Sequence, residues 1–295
     1  MISDGSARNF DNFVVIDWSG ANVARPKGLA IAYAERGRAA PSLLIPENGW
    51  TRQSILEWLL RHAEAGTNML VGVDLSPALP FVDHDCYFPG WSESPKSALQ
   101  LWSMVDQLAE SDRHLAVSSF LNHPEVYRHF RHHNGCGDLF EGGSGRLRAC
   151  ERAQKVMGLV PSSCLNLVGA AQVGKSSLTG MRVLNRLRGK IPVWPFEPLG
   201  KSGPAIVEIY TSLAAREGGI PKGRSKVYDP LTLDRVLKEF DSTAHAKLDK
   251  YTDHATDAIL TAAWLRKVAG EPARWSPKGL TRKIAATEGW TFGAF

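Results

Sequence analysis

The sequence predicts an α/β fold: a mixed five-stranded sheet, antiparallel over its first three strands, flanked by helices and broken by a large, mainly helical insertion. Three observations carry this. Short apolar runs end in an acid at Phe13–Asp17 (FVVID), Met69–Asp74 (MLVGVD) and Ala205–Glu208 (AIVE). Three strand-like segments precede the first helix with short connections rich in Gly, Pro and Arg. Near the C-terminus, Asp253–Val268 repeats apolar residues at helical spacing through Ala258, Ile259, Ala262 and Leu265.

In chain order, FVVID breaks at Ser19-Gly20 and reads as a buried strand rather than a helix. Lys27–Ala34 and Pro41–Ile45 complete a three-stranded meander. Thr51–Ala65 has helical spacing at Ile55, Trp58, Leu59 and His62, with Thr51 as N-cap and Gly66 as terminator. The Met69–Asp74 strand follows. Three antiparallel strands, a helix and a buried strand open a ribonuclease-H-like fold. Residues 76–203 read as an insertion, with a helix over Pro95–Glu110 and several Gly/Pro breaks. The pattern resumes with a strand at Ala205–Tyr210 and a helix at Leu231–Phe240. The whole chain, 1–295, reads as a single domain carrying this insertion.

Composition narrows the class. The chain has 295 residues, 43% hydrophobic and 22% charged, enough for a full core and ordinary for a soluble globular protein. Its apolar runs are too short to span a bilayer, and MISDGSARNF has no apolar signal segment. Cys86, Cys136, Cys150 and Cys164 lack CxxC spacing and read as reduced thiols in a cytoplasmic protein. The net charge of +5 is gathered in basic stretches: Arg182–Lys190, Lys222–Lys226, and Arg128 to Arg152. Each stretch reads equally well as a solvated face. Beside an acidic site, the three together point to a phosphate-bearing partner, DNA or RNA.

The acids suggest the chemistry. Asp17, Asp74 and Glu208 end buried strands, while Asp253 and Asp257 open a helix at i and i+4 on one face. Hydrolysis of a phosphodiester needs an activated water and neutralised oxygens. Two Mg²⁺ or Mn²⁺ ions held by hard carboxylate oxygens supply both. Asp17, Asp74, Glu208 and Asp257 are therefore the candidate catalytic and metal-binding residues, with Asp253 as an accessory ligand. As bland alternatives, Asp253 is an N-cap, Asp257 a helix-dipole partner, and the strand acids are turn formers.

The order of IDWSGA, VGVDLSP, VEIYTS, HATDAILTAAWLR and TEGWTFG resembles an uncharacterised family of domains of unknown function described as predicted RNase H-like nucleases. WPF at Trp194–Phe196 and GAAQVGKSSLTGM resemble that family's middle segment. The likeness covers most of the chain. It implies the fold of ribonuclease H and Holliday-junction resolvases, and a metal-dependent nuclease. Two acids, Asp253 and Asp257, compete for the resolvase-like helical ligand.

One motif argues otherwise. Gly169–Ser176, GAAQVGKS, fits a phosphate-binding P-loop in full, with Lys175 for the β/γ-phosphates and Ser176 for Mg²⁺. It supports an alternative NTP-binding or NTP-hydrolysing protein, with Lys175 otherwise a phosphate contact for nucleic acid. A third possibility is a non-catalytic nucleic-acid-binding protein on the same fold. The His123–Cys136 histidines fit no four-ligand zinc pattern. His254 reads as a surface histidine or a proton shuttle, and Trp18 as a core roof or a stacking surface.

Overall fold

The computed structural model describes residues 8–141, 143–169, 173–221 and 226–295. Strands β1 (Asn12–Asp17), β2 (Ala30–Glu35), β3 (Ser42–Leu43), β4 (Met69–Asp74), β5 (Val193–Trp194) and β6 (Ala205–Glu208) form one sheet in the order β3-β2-β1-β4-β6-β5. The pairs β1–β2 and β2–β3 are antiparallel, whereas β1–β4, β4–β6 and β5–β6 are parallel. The antiparallel meander is as expected. The sheet has six strands rather than five, because Val193–Trp194, inside the expected insertion, pairs with Ile206 and Val207. Two residues are too few to show a period, so this strand left no pattern to read.

Both faces of the central strands are covered, and the period of two assigns each residue to a side. Val14 and Ile16 of β1, Met69, Val71 and Val73 of β4, and Ile206 of β6 join one core with helices α1 (Arg52–Glu64), α2 (Ala98–Leu108) and α4 (Val173–Leu187). The other core takes Phe13, Val15, Leu70, Ala205 and Val207 with helices α5 (Thr211–Glu217), α6 (Pro230–Glu239) and α7 (Asp253–Val268). Helix α3 (Ala149–Val156) lies between α2 and α4 in the chain. Burial on both faces explains the unbroken Val/Ile runs.

Local chemistry sets the boundaries that matter to the site. Thr51 caps α1 by accepting from the Ser54 amide at 2.9 Å, while the Ser54 hydroxyl accepts from the Thr51 amide at 2.9 Å. Thr252 caps α7 by accepting from the Ala255 amide at 3.2 Å. Helix α7 is apolar on nearly every side because β1 and β2 lie under it and α5 and α6 beside it. Its N-terminus therefore sits over the C-terminal ends of the strands. Gly20 brings the loop after β1 against the first turn of α4: a Cβ there would stand 2.3 Å from the Lys175 carbonyl carbon and the Ser176 nitrogen.

Candidate active site at the strand ends

Asp17 and Asp74 are direct partners across the parallel β1–β4 pair. Each continues the strand face turned towards α7: Asp17 follows Phe13 and Val15, and Asp74 follows Leu70. Asp257, in the second turn of α7, is buried against them. Asp74 interacts electrostatically with both Asp17 and Asp257, and Asp253 bears on Asp17 and Asp257. Four of the five expected acids thus share one edge.

Glu208 does not join them. Its direct partner on β4 is Val73, not Asp74, so it emerges on the opposite face. There Arg148 grips it with two hydrogen bonds of 2.9 and 2.5 Å, and the Thr291 hydroxyl donates to it at 2.7 Å. Arg148 also donates to Glu151 at 3.0 Å, and all three side chains are buried. A cavity of about 160 Å³ lies between the two groups, lined by Asp74, Ser76, Arg148, Glu151, Glu208 and Tyr210 among others.

The shared edge is poorly compensated. Burial, then the charges of Asp17 and Asp257, pushes the Asp74 carboxyl up to about 8. Burial likewise pushes Asp257 up to about 6, against the pull of Lys226, and raises Asp17 despite its bond to His254. Lys226 Nζ donates to Asp257 Oδ2 at 2.5 Å. His254 Nδ1 lies 3.0 Å from Asp17 Oδ2, and the Thr211 hydroxyl donates to Asp74 Oδ2 at 3.2 Å. Burial pulls Lys226 down, but Asp257, Asp17 and Asp253 outweigh it and hold the ammonium above its usual range. The Asp17 hydrogen bond raises His254 in the same way.

Among the described residues, no group of three or more His, Cys, Asp or Glu side chains is arranged to hold a metal ion as it stands. One oxygen of each aspartate is already engaged, by Lys226, His254 or Thr211. The donor chemistry nevertheless fits a hard divalent cation: carboxylate oxygens, mutually repelling and partly stripped of water.

Lys226 and Thr211 were not legible as site residues. Lys226 stood only in a basic stretch, whose Lys222 and Arg224 lie outside the described residues. Thr211 had one local signal, the VEIYTS run after a strand end. Trp18 roofs the core, donating through its indole to the Thr179 hydroxyl at 3.0 Å.

Most of the basic stretches turn inward or pair locally. Arg146 is bound by Asp83, Arg148 by Glu208, Arg182 and Arg186 by Asp106, and Arg128 by Asp138. The P-loop-like segment is described only in part, since 170–172 lie outside the described residues. The segment before it joins the described structure through an isolated bridge between Asn166 and Arg131 rather than as a strand of the main sheet, and the Ser176 hydroxyl donates to the Val173 carbonyl at 2.8 Å. A P-loop instead needs a strand of the main sheet feeding the loop.

No helix among the described residues is long and apolar enough to cross a membrane. Comparison with protein-family models, curated proteins and solved structures finds no match for this chain.

Proposed function

We propose that this chain is a divalent-metal-dependent hydrolase of nucleic-acid phosphodiesters on an RNase H-like fold. The observation that carries the reading is the meeting of Asp17, Asp74 and Asp257 at one largely buried edge, where Lys226 and His254 are the cations that pair with them among the described residues. A structural role would leave such acids matched by cations, as Glu208 is. Asp17, Asp74 and Asp257 would hold Mg²⁺ or Mn²⁺, with Asp253 as an accessory. When bound, the ions would supply a nucleophilic water and charge neutralisation on the phosphoryl oxygens.

The chain's own residues have separable roles. Thr211 fixes the Asp74 carboxylate, and Lys226 stands beside Asp257 as a cation that substrate phosphate can engage. His254, oriented by Asp17 through Nδ1, can carry a proton at its Nε2. Arg25 and Lys27 precede Gly28, whose backbone lies against the His254 ring, and Gly20 lies against Lys175. Arg25, Lys27 and Lys175 form no ion pair among the described residues, which suits a polyanionic substrate.

The test is incubation of labelled DNA and RNA, single- and double-stranded, with Mg²⁺, Mn²⁺ or EDTA. Cleavage that needs the cation and disappears in Asp17→Asn and Asp257→Asn is the expected result. Metal-independent cleavage, or ATP turnover lost in Lys175→Ala without strand cleavage, would overturn it.

A further inference from the structure

At the opposite end of the sheet, where β1 begins, a second cavity of about 430 Å³ opens between the loop after β2 and the C-terminal ends of α6 and α7. Phe10, Phe13 and Phe240 form its apolar wall, and Arg8, Arg36, Arg266, Lys267 and Asp241 its charged lining. Two of the cations have carboxylate partners: Arg36 is 3.4 Å from Asp11, and Lys267 is 3.2 Å from Asp241.

Arg8 and Arg266 have none among the described residues. Arg8 lies over the Phe10 ring at 4.3 Å and donates to the Asn68 side chain and the Gly203 carbonyl; its Nε and Nη1 are buried without a hydrogen-bond partner. Arg266 donates through Nη1 to the carbonyls of Glu35 and Ala39, and its Nη2 is buried and unpartnered. Burial holds both guanidiniums below their usual range.

A buried guanidinium nitrogen without an acceptor is a cost that folding ordinarily avoids. Residues 1–7 lie outside the described residues; among those described, the cavity carries two guanidiniums that no carboxylate matches. Planar guanidiniums match phosphate oxygens, and two uncompensated cations suit a dianion better than a single carboxylate. The volume exceeds what inorganic phosphate fills, and the rest of the wall is aromatic.

We propose that this cavity binds a phosphomonoester, its phosphate held by Arg8 and Arg266 and its organic part resting against Phe10, Phe13 and Phe240. The site is independent of the acidic edge and of the function assigned to it.

The test is calorimetric titration of the full chain with phenyl phosphate and, separately, inorganic phosphate, in chloride of matched ionic strength. Saturable binding is expected, tighter for phenyl phosphate, and weaker by about 10-fold or more in both Arg8→Gln and Arg266→Gln. Binding is expected to survive in Lys226→Gln. Because Arg266 also anchors backbone carbonyls, circular dichroism checks its fold, and Arg8→Gln provides the second variant. Absence of saturable heat in the unmodified chain would overturn the proposal. So would binding that both arginine variants retain, or that Lys226→Gln abolishes.

Discussion

Two carboxylate groups stand at the same end of this sheet, a few residues apart along adjacent strands, and they are built oppositely. On one face Glu208 and Glu151 close around Arg148, with Thr291 completing the bonds. On the other, Asp17, Asp74 and Asp257 crowd together, and among the described residues a half-exposed lysine and a half-exposed histidine are the cations paired with them. A strand's alternation, one residue either way, separates a carboxylate that locks the fold from one that strains it. A buried pair broken on one side leaves an uncompensated charge, whereas a repelling cluster relaxes when a charge is removed.

That contrast can be broken most forcefully at Arg148. Arg148→Met should destabilise the chain by about 3–5 kcal/mol, because Glu208 and Glu151 would stay buried without their cation; urea denaturation measures it. A change under about 1 kcal/mol would mean that the two groups are not opposites. The reverse substitution sharpens the comparison. Asp74→Asn should leave the melting temperature unchanged or raised, yet lower metal-dependent cleavage by on the order of 100-fold or more. Loss of both stability and activity would place Asp74 with Glu208 instead.

A weaker effect comes from pH. Asp74 and Asp257 rise from an ordinary 3.8 to about 8 and about 6. Between those limits the folded chain holds protons that the unfolded chain has released. Stability is therefore fully present below about pH 4 and is lost as pH rises towards about 8. His254, also raised, acts in the same direction. Melting without divalent ions should fall by on the order of 5 °C between pH 5 and pH 8.5. Mg²⁺ should flatten the profile by restoring stability at the alkaline end, since it would bind only the folded form. A profile rising with pH would contradict the reading. The smallest expected change is at Trp18, which follows Asp17 in the chain but turns its side chain into the core on the opposite face. Trp18→Phe loses its bond to Thr179 and should cost about 1 kcal/mol with little effect on cleavage.

The sequence made one side of this comparison legible and hid the other. Asp17 and Asp257 could be read because each begins or ends an unmistakable pattern, the FVVID run and the period of α7. Glu208 could be seen, but not its side. AIVE looks like FVVID, and only its pairing with Val73 puts the acid on the other face. Arg148, Thr291 and Lys226 come from segments without periodicity, and their partners lie 60, 83 and 31 residues away. Basic stretches misled for a related reason: a run of arginines looks the same whether each faces water or an interior carboxylate. Val193–Trp194 was too short to announce a sixth strand.

Glu288 gives the fold an order in time. Its buried carboxylate accepts from the amides of Phe81 and Val82 at 2.6 and 2.9 Å and from that of Ala149 at 2.6 Å. Phe292 donates its amide to the Glu208 carbonyl at 2.8 Å. On the ribosome, the amides of loops made early must therefore wait for an acceptor made late. The segments around Phe81 and Ala149 thus share one anchor that only the last stretch of the chain can supply.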